Sequence, residues 1–241
     1  MAFCPNGYAT LRRFTRVGRE QESSAVLKGA GVPAYSWIPP GMPGHQPDLG
    51  KEYGFNPTWA KQVLAAAGYP NGQGLPPITL SYGMRGYGPQ VAPFLQEQWK
   101  QNLGVDVTLE PMEPKAYNQF MNKLQHQVGL LGWGADYPDP DNWLPELFGT
   151  GAGNNKTAYS NPALEQLMKF AGAETDADRR LRMWNDVQKV VVDDAPMAFM
   201  YHQVAYRLVK PWVKAVYFNG MDFLGAPGGR SYFQTWISKK Q

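Results

Sequence analysis

The sequence predicts an α/β protein: a mixed, largely parallel sheet flanked by helices. Two observations carry that prediction. Between residues 76 and 133, segments of period-two hydrophobicity alternate with segments of helical period in the order β-α-β-α-β, and right-handed crossovers make successive strands of such a series parallel. The third strand, expected at 128–133, is a nearly continuous apolar run, the pattern of a strand covered on both faces.

Taken in order, residues 1–24 show little periodicity and carry Arg12, Arg13, Arg16 and Arg19 on a possible short helix, read here as a solvated face. The start, Met1-Ala-Phe-Cys4-Pro, has neither a cationic region nor an apolar core, so no intact export signal is expected in this chain. Residues 25–50 are dense in Gly and Pro, from Gly29 to Pro47, which predicts a long ordered crossing segment without regular structure. A helix then opens at Asn56-Pro57, with Asn56 as cap and Trp59, Val63, Leu64 and Ala67 as the apolar stripe, and stops at Gly68.

Strands are expected at 76–82 and 105–110, the second helix over Val91, Phe94, Leu95, Trp99 and Leu103, ending at Gly104, and the third over 115–126. After a Gly-rich link at 149–155, Asn161-Pro162 opens another helix. Thr175 with Asp178 resembles a capping box for a longer one through Leu181, Trp184, Val187 and Val191. From Pro196 onward short β-like runs are expected at 197–201, 204–209, 213–218 and 232–237.

Composition excludes several classes. The 241 residues are 43% hydrophobic, ample for a core, and the net charge of +3 gives no clustered basic surface for nucleic acid. Only one cysteine is present, so no internal disulfide forms. No apolar run approaches the ~18 residues of a membrane helix. His45, His126 and His202 lie far apart along the chain without metal-ligand spacing, so neither a metal nor a cofactor is expected. The 149–157 segment fails as a phosphate loop because Asn155 stands where the glycine before the lysine belongs. No Gly-x-Ser-x-Gly elbow occurs. Catalytic residues are therefore not assigned.

The chemistry concentrates at 128–143, where a strand breaks into small residues, Trp133, Tyr137 and three acids, fenced by Pro138 and Pro140. Strand ends of this kind are where open α/β sheets bind ligands. Asp139, before Pro140, reads as a helical N-cap, and Asp141 as a first-turn acid. Asp136 has no such local role, so ligand contact is expected there, in the company of Trp133, Gly134, Tyr137 and Trp143. Trp59, Trp99 and Trp184 read as core. A carboxylate among aromatic rings suits gripping a cationic, partly apolar molecule better than breaking a bond.

Four stretches carry a family resemblance: Pro39-Pro-Gly-Met-Pro-Gly44, Asn56-Pro-x-x-Ala60-Lys61-x-x-Leu64-x-x-Ala67-Gly68-Tyr69-Pro70, Gly132-Trp-Gly-Ala-Asp136-Tyr-Pro-Asp139-Pro, and Arg207-Leu-Val-Lys-Pro-Trp212-Val. In that order and spacing the chain, from about residue 26, resembles the C-terminal part of the family 5 extracytoplasmic solute-binding proteins, the dipeptide- and oligopeptide-binding components of ATP-binding-cassette importers. The resemblance implies a periplasmic-binding-protein-like lobe at 51–203, an irregular segment at 1–50 left from the first lobe and the crossing, and a β-rich tail at 204–241 that crosses back to the first lobe in relatives. It also implies a periplasmic or extracytoplasmic setting, a membrane permease as partner, and Asp136 as the acid that pairs with a peptide's α-ammonium, Gly132 and Gly134 letting backbone approach closely. Pro114 and Leu130 replace an aromatic and a basic residue found at ligand-contacting positions in some relatives, which leaves the ligand as a peptide or another small cationic solute. Two other readings stand beside it: from the resemblance, an interaction module or homo-oligomer built through a tail left without its first-lobe partners, and from the residues, a hydrolase using Asp136 and Asp139.

Overall fold

The computed structural model describes residues 2–3, 18–204, 206, 208–215 and 236–238. Cys4, Arg12, Arg13, Arg16 and Arg207 lie outside the described residues, as do most of the runs expected at 213–218 and 232–237.

The fold grows from capped helices between strands. After β1 (Ala2–Phe3) and β2 (Gly31–Pro33) comes α1 (Pro57–Ala66), whose Asn56 cap accepts the Trp59 amide at 2.9 Å and whose Pro57 costs nothing at the first helical position. Strand β3 (Ile78–Gly83) leads into α2 (Gly88–Leu103). Gly104 ends α2 at φ +69°, and a Cβ there would stand 2.5 Å from the Asn71 carbonyl oxygen, so both conformation and space demand glycine. Then come β4 (Val107–Met112), α3 (Pro114–Asn122) and β5 (Val128–Leu130). Helices α4 (Pro162–Ala173) and α5 (Ala177–Asp194) pack as a hairpin, followed by β6 (Met197–Ala198), β7 (Tyr201–Gln203), β8 (Val213–Lys214) and β9 (Trp236–Ile237).

The main sheet runs β4-β3-β5-β1-β6. Strand β3 is parallel to both β4 and β5, as the crossovers predict, and β1 lies antiparallel between β5 and β6. A core covers each face. On one, Leu64, Leu95, Trp99 and Leu103 of α1 and α2 pack on Leu80, Tyr82 and Val107; on the other, Tyr117, Met121, Trp184, Val187 and Val191 gather with Trp37, Ile38 and Phe148. The chain after α5 shows the two-faced register directly: Met197 and Phe199 enter one core, Ala198 and Met200 the other. Trp99 and Trp184 are core as expected, whereas Trp59 is only half-buried.

The crossing segment is irregular but ordered. Its β2 pairs antiparallel with β7, Val32 opposite His202. Trp37, Ile38 and Met42 are buried, and Gln188, fully buried on α5, receives the Ile38 amide at 3.1 Å and donates to the Gly44 carbonyl at 3.0 Å. A polar side chain thus supplies the main-chain partners that a sheet would otherwise provide.

Several expectations are corrected. Strand β5 stops at Leu130 rather than running to 133, because Gly132 to Ala135 leave the sheet for the site loop. Helix α3 ends at Asn122, not 126, and His126 is a buried loop residue. The cap of α5 is Asp176, accepting the Arg179 amide at 2.8 Å, rather than Thr175. The 197–201 run is split between two sheets, and among the described residues 204–209 form no strand. Arg19 is not on a solvated face: it is 2% exposed, donates Nε–H to the Phe199 carbonyl at 2.6 Å and lies 5.0 Å from the Tyr35 ring centre. Glu22, one turn on, is fully buried, and burial pushes its carboxyl up to about 7 against the opposing pull of Arg19.

Replacing Gln188 by Leu keeps the volume roughly and strands one amide and one carbonyl of the crossing segment. Urea unfolding should show a loss of about 2–4 kcal/mol; a change below about 0.5 kcal/mol would mean that water serves those groups equally well.

Candidate functional site

Strand β5 delivers the chain to a loop, 131–139, that closes with a single 3-10 turn, Pro140–Asn142. Asp139 caps that turn, accepting the Asp141 amide at 2.9 Å, as the sequence predicts. The same carboxylate receives a bidentate clamp from Arg180 of α5, Nη1 to Oδ2 at 2.7 Å and Nη2 to Oδ1 at 2.9 Å. The guanidinium also stands 5.6 Å from the Trp184 ring centre, so it is sandwiched between core and loop. Burial by itself would raise the Asp139 carboxyl, but the Arg180 hydrogen bonds, the Asp141 amide and the Arg180 charge together hold it below the usual carboxylate range.

Asp141 is engaged by the Tyr137 hydroxyl, which donates to its Oδ2 at 2.7 Å; that bond, with partial burial and the Asp141 charge, pushes the phenol upward. Asp136 differs from both. It is exposed, forms no salt bridge among the described residues, and its carboxylate receives only a long contact from Asn142 Nδ2 at 3.4 Å. Of the three acids, one is neutralised by a cation, one holds a phenol, and one faces solvent.

The five residues singled out in the sequence divide by depth. Trp133 and Gly134 are half-buried, while Asp136 and Tyr137 are exposed, Tyr137 by 43%. These four share one loop. Trp143 sits below them in the core, 5% exposed and edge-on to Trp37 at 5.5 Å between ring centres. Beside Gly132 a Cβ would meet nothing within 4 Å, so packing does not require glycine there.

Two residues of the site escaped sequence reading. Asn142, 4% exposed, accepts the Asp136 amide at 2.8 Å and the Trp133 indole N–H at 3.4 Å. Arg180 comes from 41 residues beyond Asp139; its one local signal is its position four residues before Trp184 on α5.

Elsewhere, His45 and His202, distant in sequence, come together with ring centres 6.5 Å apart, and burial, with His45 nearby, pushes His202 down to about 4. Among the described residues no group of three or more His, Cys, Asp or Glu could hold a metal. Lys156 turns inward and donates to the Gly153 carbonyl, so the Gly-rich link does not offer it to a phosphate. Among the described residues no helix is long and apolar enough to cross a membrane.

A mixed sheet with two parallel strand pairs, a core on each face and an acidic loop at its rim is an α/β lobe of the periplasmic-binding-protein type. Residues 17–155 match the model of the bacterial extracellular solute-binding proteins, family 5 Middle, and the chain belongs to that family. It is 29% identical over 214 residues to the oligopeptide-binding protein OppA of Bacillus subtilis, covering 87% of this chain and 38% of that protein. To the periplasmic murein peptide-binding protein MppA of Escherichia coli it is 33% identical over 163 residues, 68% of this chain and 30% of that one. Among solved structures, the periplasmic oligopeptide-binding protein OppAIV of Borrelia burgdorferi superposes with a TM-score of 0.75 at 25% identity, over 83% of this chain and 41% of that one. The Escherichia coli murein tripeptide-binding protein MppA gives 0.76 at 26%, over 92% and 45%. The chain therefore spans less than half the length of these relatives.

The Asp139–Arg180 pair has a pH signature. With the folded carboxyl held low, its stabilisation is complete above the ordinary aspartate value of about 3.9 and is lost as pH falls through the lower folded value. Asp139→Asn should therefore be less stable than the parent by about 1 kcal/mol at pH 7, since both side chains are partly exposed, and the gap should narrow by pH 3 in urea titrations. An equal gap at both values would assign the loss to something other than the ion pair.

Proposed function

We propose that this chain is the solute-binding component, essentially one lobe of it, of a peptide-type ATP-binding-cassette importer, and that it binds the α-ammonium of a di- or oligopeptide through Asp136 without chemical change. The observation that carries this reading is the division among the three acids: only Asp136 is left with its carboxylate facing solvent and no cation of its own. An ammonium there would gain charge-assisted hydrogen bonds, and Trp133 and Tyr137, carried on the same loop, supply rings of the kind that favour a cation and cover adjoining apolar atoms. An extended peptide adds main-chain hydrogen bonds, which favour peptides without selecting their side chains. The relatives named above for oligopeptide and murein peptide binding support the same ligand class.

Residues 51–203 form most of the binding lobe in this proposal, completed by β1 in its sheet and by Trp37, Ile38 and Met42 in its core, with 204–241 running with the other lobe and Trp143 supporting the site from below. The setting is extracytoplasmic and the partner a membrane permease. A hydrolase using Asp136 and Asp139 fits poorly, because Asp139 is committed to Arg180 and held ionised, which removes it as an acid.

One observation favours a second role: Tyr206, Leu208, Trp236 and Ile237 of the tail are 56–103% exposed, an apolar surface that could hold copies of this chain together. Light scattering over a hundredfold range of concentration would reveal such association as a rising mass.

Titrating trialanine into the chain should give saturable binding that Asp136→Asn weakens by about tenfold or more, the worth of a charge-assisted hydrogen bond, with melting temperature unchanged. Equal affinity in parent and variant would remove Asp136 from the site.

A further inference from the structure

We infer that Asn142 is a positioning residue of the binding site: its buried amide fixes the direction in which Asp136 presents its carboxylate, and so confers preference for a ligand with a free ammonium group. The inference rests on the peptide-binding reading and deepens it. One amide meets three groups of the loop. Its Oδ1 accepts the Asp136 main-chain N–H at 2.8 Å and the Trp133 indole N–H at 3.4 Å, while its Nδ2 donates to Asp136 Oδ2 at 3.4 Å. The orientation of the amide is fixed by its neighbours: flipping it would turn an NH2 towards two N–H donors and an oxygen towards a carboxylate. No other side chain of this size offers an acceptor on one side and a donor on the other.

The amide is itself held from behind. Asn142 is 4% exposed, and its main-chain N–H donates to the Asp139 carbonyl at 3.2 Å. Asp139 is in turn clamped by Arg180 on α5. A rigid helix therefore locates Asp139, Asp139 locates Asn142, and Asn142 locates both the acid and the ring of the site. Holding Oδ2 leaves Oδ1 of Asp136, which accepts no hydrogen bond among the described residues, directed at a ligand. A carboxylate already aimed loses less rotamer freedom on binding.

The test uses the isotope-labelled full chain with two readouts. Solvent exchange of the Asp136 amide, followed by NMR, should accelerate about tenfold in Asn142→Ala relative to the Ser81 amide of β3. It should return towards the parent rate in Asn142→Asp, which keeps the acceptor. Titration with trialanine and N-acetyl-trialanine, followed at the Trp133 indole, should show Asn142→Ala weakening the free amine about tenfold, leaving the blocked peptide unchanged, and having no effect in an Asp136→Ala background. Unchanged exchange, no recovery in Asn142→Asp, equal losses for both peptides, or an undiminished loss without Asp136 would each overturn the inference. Should trialanine not bind the parent chain, the peptide reading fails, and the exchange readout still decides whether Asn142 fixes Asp136.

Discussion

A bidentate ion pair between a helix and a loop, Arg180 to Asp139, is the constraint on which the loop of the candidate site depends. Loops carrying three acids within six residues repel themselves, and a chain with Pro138 and Pro140 has few main-chain donors to relieve that repulsion. The guanidinium removes one of the three charges and does so in a planar, two-point geometry that fixes direction as well as distance. Because Arg180 also stacks on Trp184, a fully buried residue, the loop is referenced to the core rather than to solvent.

Charge is then distributed by geometry rather than by composition. Asp139 is spent on the clamp and the cap, Asp141 on the Tyr137 hydroxyl, and Asp136 remains available at the surface. A loop that begins with three carboxylates thus presents one to solvent, the arrangement from which the proposed recognition of a single ammonium is argued. The parallel strands β3 and β5 supply a stiff base, and the crossing segment is fastened to α5 through Gln188. The same helix that holds the loop by Arg180 therefore holds the strand crossing through β2 and β7, so the site and the crossing share one support.

The parts legible in the sequence are those whose cause is local. Asn56-Pro57, Asn161-Pro162 and Gly104 mark helix ends through their own backbone chemistry, and the structure places those ends there. The parallel core of the sheet follows from alternation and chain order. Asp139 as a cap is likewise a short-range matter. What escaped depends on distant partners. The shortening of β5 accompanies hydrogen bonds that the Trp133 indole and the Asp136 amide donate to Asn142 Oδ1, and the burial of Arg19 reflects carbonyls at Phe199 and Tyr53. Trp143 lies next to the acidic loop in sequence, yet the turn at 140–142 points it into the core against Trp37. Residues 2–3 gave no strand signal, since two residues have no period, yet they fill the space between β5 and β6.

The most direct test is a crystal structure of the chain with a short peptide bearing a free amino terminus. The account predicts the α-ammonium nitrogen about 2.7–2.9 Å from a carboxylate oxygen of Asp136, as expected of a charge-assisted hydrogen bond, with Trp133 and Tyr137 against the first residue and the Arg180 clamp intact. A peptide seated with its ammonium on Asp139 or Asp141, or bound away from this loop, would contradict it.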